Sequence, residues 1–123
     1  MAYDIEFVNK RYYLHVVASG EGHSFEDTVV YTEAILAELG KTGLTRVLLD
    51  ERSVSVMLTA HDAIRIADKL VEKKFTARGY RIANLYAPHS VEIIRAYETA
   101  FRNRSFNYKM FTDEDQAAKW LTA

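Results

Sequence analysis

The stretch DERSVSVMLTAHD, residues 50–62, brings together carboxylates, serines, a threonine and a histidine, the side chains from which a regulated hydroxyl or an acid–base site is built. Thr59 stands where a helix is expected to begin. A phosphate carried there would meet the free backbone N–H groups of a helix N-terminus, which favour an anion. Asp62, three residues on, opposes that use, because it would face a group of about −1.5 to −2 charges. The same spacing suits a helix cap, in which the hydroxyl accepts a backbone N–H and the acid reaches back to the N–H of the cap. Capping accounts for Thr59 without further assumption, so Thr59 is a possible phosphosite but not an expected switch.

The remaining reactive groups are scattered. His23, Asp50 and the pair His89 and Ser90 invite a serine–histidine–aspartate reading, with hydrolysis by His89 or His23 acting with Asp50. That reading requires an imidazole nitrogen within roughly 3.5 Å of Asp50 or of a serine hydroxyl. Ser90 has no strained elbow motif around it and follows Pro88, so it reads as a helix cap. His61 and Asp62 are consecutive, and on a helix such neighbours point about 100° apart, too far to share a ligand. His15 lies in a strand beside Tyr13 and Val17 and reads as a half-buried sheet histidine. No two histidines have metal-ligand spacing and the chain has no cysteine, so neither a metal nor another cofactor is expected. GEGHS, residues 20–24, lacks the length and the lysine of a phosphate-binding P-loop. A catalytic set is not assembled, and the protein is expected not to be an enzyme.

These groups need a scaffold to position them. DIEFV and YYLHVVAS read as two strands joined through Asn9, Lys10 and Arg11 in a hairpin. Ser24 with Asp27 opens a first helix whose inner face is Phe25, Val29, Leu36 and Leu39, ended by Gly40 and Gly43. RVLLD, apolar on both faces, is a central strand ending at Asp50. ERSVSVML then forms a loop that tethers an apolar edge to the domain. Thr59 starts a second helix, with Ile64, Ala67, Val71 and Phe75 facing inward and Gly79 closing it. YRIANLYA is the next strand, Ser90 caps a third helix with Val91, Ile94, Tyr97 and Phe101 inside, NYKMF is an edge strand, and Thr112 with Asp115 caps a last helix ending at Trp120 and Leu121.

The order ββαβαβαβα over residues 1–123 describes a single α/β domain: a five-stranded, mainly parallel mixed sheet with four helices. The capped starts of all four helices then fall at the carboxyl edge of the sheet, where open α/β sheets bind ligands. At 123 residues the chain is long enough for one sizeable core. A net charge of −1 argues against a protein devoted to nucleic-acid phosphates. In the basic stretch from Arg95 to Lys109, Arg102 and Arg104 are expected to complement the negative C-terminal end of the third helix while the aromatics pack inward. No apolar run approaches the ~18 residues of a membrane span, and MAYDIEFVNK has no apolar core of a secretory signal, so a cytoplasmic location is expected.

Two stretches resemble the SpoIIAA-like branch of STAS domains. Asp50 followed by the run to Thr59 is similar to the strand-ending aspartate and following loop of these domains, and it brings Thr59 onto their phosphorylated serine. KMFTDEDQAAKWL, residues 109–121, looks like the way that branch closes. Leu58 stands where the antagonists carry an aspartate, and His61 where they carry a small residue. The resemblance implies a non-catalytic regulatory or interaction module with a partner surface at His23, Asp50, Arg52, Thr59, His61, His89 and Ser90. The alternative is a binder of a small anionic or lipid-like ligand at the carboxyl edge, where helix N-termini converge. YYLHVVA is apolar on both faces, and a homodimer gathering Tyr3, Phe7, Tyr12 and Tyr13 would cover it.

Overall fold

A computed structural model of the chain describes residues 3–21, 24–55, 58–72 and 79–123. Strands β1 (Asp4–Asn9) and β2 (Leu14–Glu21) pair antiparallel, with Phe7 opposite Val16. Arg11 turns the hairpin at φ 78°, an uncommon backbone state for a residue with a Cβ. Helix α1 (Phe25–Thr42) follows, then β3 (Arg46–Ser55), α2 (Ala60–Glu72), β4 (Arg81–Leu85), α3 (Val91–Arg102), β5 (Asn107–Phe111) and α4 (Glu114–Thr122).

The five strands lie in the order β1-β2-β3-β4-β5, and every pair after the hairpin is parallel. Each crossover therefore steps the same way across the sheet. Parallel crossovers share one hand, so α1, α2 and α3 all land on one face and, among the described residues, α4 alone covers the other. Two clusters fill the first face. Leu14, Val16 and Val47 pack with Tyr31, Ile35 and Leu39 of α1, and Ile66 and Leu70 of α2 pack with Tyr97 and Phe101 of α3 and with Phe106 and Tyr108. On the reverse face Leu48, Ala83 and Leu85 meet Phe111, Ala117 and Leu121. Alternate residues of β3 thus serve opposite cores, as a strand covered on both sides requires.

Arginines strap α4 in place. Arg46 Nη1 donates to the Leu121 carbonyl at 2.7 Å, and Arg81 Nη1 donates to the Trp120 carbonyl at 2.8 Å. Both satisfy carbonyls in the last turn, where the negative end of the helix dipole favours a cation. At the other end, Arg52 Nη2 of β3 reaches Glu114 Oε1 at 3.1 Å.

Several expectations from the sequence are corrected. The strand that begins at Arg46 does not stop at Asp50, and most of the supposed loop ERSVSVML is strand, because Ser53, Val54 and Ser55 pair with Ser19, Gly20 and Glu21. The buried face of α1 is Thr28, Tyr31, Ile35 and Leu39, with Phe25, Val29 and Leu36 only half-buried at its margin. On α2 the buried stripe is Ala63, Ile66, Ala67 and Leu70, while Ile64 and Val71 are 41% and 40% exposed. Ala63 and Ala67 are fully buried in the cluster that α2 shares with Ile94, Tyr97, Ala100 and Phe101 of α3. Ser90 makes no side-chain cap bond, because a 3-10 turn at Pro88–Ser90 leads directly into α3. Asp113 caps α4 in place of Thr112, accepting from Asp115 N and Gln116 N. Phe75 and the segment before Gly79 lie outside the described residues.

Candidate functional site

β3 carries an irregularity at its centre. Val17 pairs with Asp50 and Ser19 with Ser53, so one residue of β2, Ala18, faces both Glu51 and Arg52. Such a bulge re-aims side chains and is frequent beside functional sites. Ordinary strand alternation already sends the consecutive carboxylates of Asp50 and Glu51 to opposite faces of the sheet, and the bulge beyond them turns Val54 inward to the α1 cluster.

Glu51 points toward α1–α3. Its carboxylate accepts from Tyr31 Oη at 2.8 Å and from Asn84 Nδ2 at 3.0 Å, and the same Nδ2 donates to Tyr108 Oη at 2.6 Å. Asn84 is 1% exposed, and its Oδ1 has no hydrogen-bond partner among the described residues. This network borders a cavity of about 90 Å³ between the sheet and α1–α3, whose other walls include Leu49, Leu70, Tyr97 and Phe101. Burial raises the Glu51 carboxyl above its ordinary value, although the hydrogen bonds from Tyr31 and Asn84 pull it down. Burial also holds the Tyr31 and Tyr108 hydroxyls well above the ordinary phenol value, and the nearby Glu51 charge adds to this. Tyr3 stacks on Tyr31 with ring centroids 4.2 Å apart and shares a hydrogen bond with Thr28 Oγ1 at 3.0 Å.

Asp50 points the other way, toward α4. Arg52 grips it with Nε to Oδ1 at 2.9 Å and Nη2 to Oδ2 at 2.7 Å, and His15 Nε2 lies 3.3 Å from Oδ2. Burial opposes ionisation of Asp50, but the bonds from Arg52 and His15 outweigh it and hold the carboxyl below its ordinary value. The ligand atoms of His15, Asp50 and Glu114 lie within 4.8 Å of one another, a spacing that suits a cation. The Arg52 guanidinium, bonded to both carboxylates, supplies that positive charge itself.

Among the described residues, no hydrogen bond joins the residues singled out from the sequence into one group. Asp50 and Arg52 form one pair. Thr59 and His61 stand exposed at the start of α2, and His89 and Ser90 belong to the turn after β4. His23 lies outside the described residues. Among the described residues no hydrogen bond or ion pair joins His89 or Ser90 to Asp50, and the imidazole beside Asp50 is that of His15, a buried sheet histidine. Thr59 makes the expected reciprocal cap: Asp62 N donates to Thr59 Oγ1 at 3.2 Å and Thr59 N to Asp62 Oδ2 at 3.1 Å. Its hydroxyl also donates to Asp62 Oδ2 at 3.1 Å. The four residues expected to gather at a dimer contact are divided: Tyr3 and Phe7 pack with the α1 cluster, Tyr13 with the α4 cluster, and Tyr12 is 62% exposed.

Comparison with protein-family models gives no match, and comparison with curated proteins gives none either. Among solved structures, a similar one is an uncharacterised protein of the DUF3478 family from Shewanella loihica, described as having a SpoIIAA-like fold. It is 24% identical, the match covers 98% of this chain and 92% of that one, and the TM-score is 0.51. The chain has a SpoIIAA-like fold. Within this SpoIIAA-like frame the cap at Thr59 leads to a direct expectation. Thr59→Ala removes the cap and should lower the unfolding free energy by about 0.5–2 kcal/mol. Thr59→Glu should do no better than alanine, because its charge meets Asp62. Urea denaturation of the two variants measures this, and a glutamate variant as stable as the wild type would show that the position tolerates a phosphate-like charge.

Glu51, Tyr31, Asn84 and Tyr108 were not singled out by their spacing, for they come from separate elements. One signal was readable: an asparagine within the apolar strand YRIANLYA must find buried partners.

Proposed function

We propose that this SpoIIAA-like domain is a non-catalytic binding module that holds a small, largely apolar molecule in the cavity between its sheet and α1–α3. One observation carries the reading: a carboxyl group and an asparagine line a cavity whose other walls are apolar and aromatic. A core built for stability alone gains nothing from a half-buried carboxyl turned toward its apolar interior, whose desolvation is costly. Apolar pockets with a few convergent polar groups are the common form of a ligand site. At about 90 Å³ the cavity is smaller than a dry cavity of about 150 Å³ that takes benzene, so it suits a short chain or the end of a longer one.

Helix α2 supports a regulatory use of this binding. Ile66 and Leu70 line the cavity, while Thr59, His61 and Ile64 stand exposed on the same helix. Occupancy then bears on a surface available to a protein partner.

The test is thermal denaturation and titration calorimetry with 1-hexanol. A seven-heavy-atom ligand is expected to bind at about millimolar strength or somewhat tighter, raising the melting temperature in a saturable way. Leu36→Trp, which fills the cavity from its half-buried margin, should abolish the shift while leaving the circular dichroism spectrum unchanged. Absence of any saturable shift in the wild type with alkanols or phenols up to their solubility would defeat the reading.

A further inference from the structure

We infer that the cavity selects for a ligand whose polar end is an uncharged hydroxyl, an alcohol or a phenol, over one that ends in a carboxylate. The inference rests on the binding reading above and follows from which hydrogen-bonding groups at the polar wall are already spent. Tyr31 gives its only proton to Glu51. Asn84 has two amide protons, and they go to Glu51 and to Tyr108. The protons of Tyr31 and Asn84 are therefore used up, whereas acceptors remain. Asn84 Oδ1, in a side chain 1% exposed, has no donor facing it among the described residues. Glu51 has accepted two hydrogen bonds, and an ionised carboxylate has about four acceptor sites.

A buried acceptor left without a donor is costly, and a ligand that supplies the donor recovers that cost. A hydroxyl can give its proton to this wall. Tyr108 Oη, having accepted from Asn84, still has its own proton to give, and a hydroxyl oxygen can take it. A carboxylate head has no proton for Asn84 Oδ1 and brings a second acidic group beside Glu51, where like charges disfavour one another. An ammonium head supplies donors and a charge opposite to that of Glu51, but it accepts nothing from Tyr108, and it carries a full charge into a cavity walled elsewhere by Leu49, Leu70 and Phe101. Of these three heads only the hydroxyl both gives and receives without a charge.

The experiment is a matched series, 1-hexanol, hexanoate and hexylammonium, titrated calorimetrically into the full chain at pH 7. Hexanol is expected to bind at least about tenfold more tightly than hexanoate, a difference of about 1.4 kcal/mol. Glu51→Gln, which keeps the size of the side chain and removes its charge, should narrow that gap to about threefold or less by restoring hexanoate binding. Hexanoate matching hexanol in the wild type, or hexylammonium exceeding it, overturns the inference while leaving the cavity a ligand site. Failure of all three ligands to bind removes the binding reading and the inference with it. The wild-type comparison stands whether or not the glutamine variant folds.

Discussion

Phe101→Ala is expected to lower the unfolding free energy by about 3–5 kcal/mol, the usual cost of emptying a buried aromatic site. Phe101 is the hub of the α3 side of the core. Its ring lies 4.8 Å from that of Tyr108, 5.3 Å from Phe106 and 5.9 Å from Tyr97, so its loss strips contacts from three other aromatic rings at once. It also borders the ligand cavity, and the void left behind joins that cavity. Domains of this size have about 5–15 kcal/mol in all, so the variant should sit near the edge of folding. Phe101→Leu, which keeps most of the volume, should cost far less. Urea titration at pH 7 with an unchanged m value is the measurement, and a loss under about 1 kcal/mol for the alanine variant would show that the surrounding side chains collapse into the space. If the alanine variant folds, the enlarged cavity should favour longer alkanols than the wild type does.

Asp50 and Glu51, consecutive residues of β3, are expected to give the fold opposite responses to acid. Asp50 is held below its ordinary value of 3.8 when folded, despite its burial, by the bonds from Arg52 and His15. As the pH falls toward that value the unfolded chain takes up a proton before the folded chain does, so the stability that Asp50 contributes is present above 3.8 and lost below it. Glu51 is raised above its ordinary value of 4.5 when folded, chiefly by burial. Once the pH passes 4.5 the unfolded chain releases a proton that the folded chain still holds, so stability falls as the pH rises toward the folded value. Each proton of difference is worth at most about 1.4 kcal/mol per pH unit. The wild type should therefore be most stable in mildly acidic solution. Glu51→Gln should flatten the decline on the alkaline side, and Asp50→Asn should flatten the loss on the acid side, each leaving the other limb in place. Urea denaturation from pH 3 to pH 8 reads both limbs, and a variant that keeps the wild-type slope in its own window would refute the assignment for that residue.

Much of this architecture was legible in the residues themselves. The reciprocal pairs Ser24 with Asp27 and Thr59 with Asp62 announce their helices, because a cap is a local bond between residues three apart. The crossovers follow from alternating strand and helix patterns, and the SpoIIAA-like fold agrees with them. What escaped the sequence reading depends on partners far away in the chain. Glu51, Arg52 and Ser53 look like loop residues until β2 is seen to pair beyond a bulge. The choice between two apolar stripes on α2 shows only in its packing against α3, a partner the local pattern does not name. The cavity network is still less local, since Tyr31, Glu51, Asn84 and Tyr108 come from four different elements. The family resemblance pointed to the start of α2, whereas the polar groups that the core holds most firmly lie under it.

The placement of α4 alone on its face of the sheet bears on how the protein is made. A growing chain finishes all five strands before residues 114–122 leave the ribosome. Until then Leu48, Ala83 and Leu85 have no cover, and Arg46 and Arg81 have no carbonyls to hold. The nascent domain therefore passes through a half-clothed stage in which three helices are docked on one side and a bare apolar sheet faces water or a chaperone on the other.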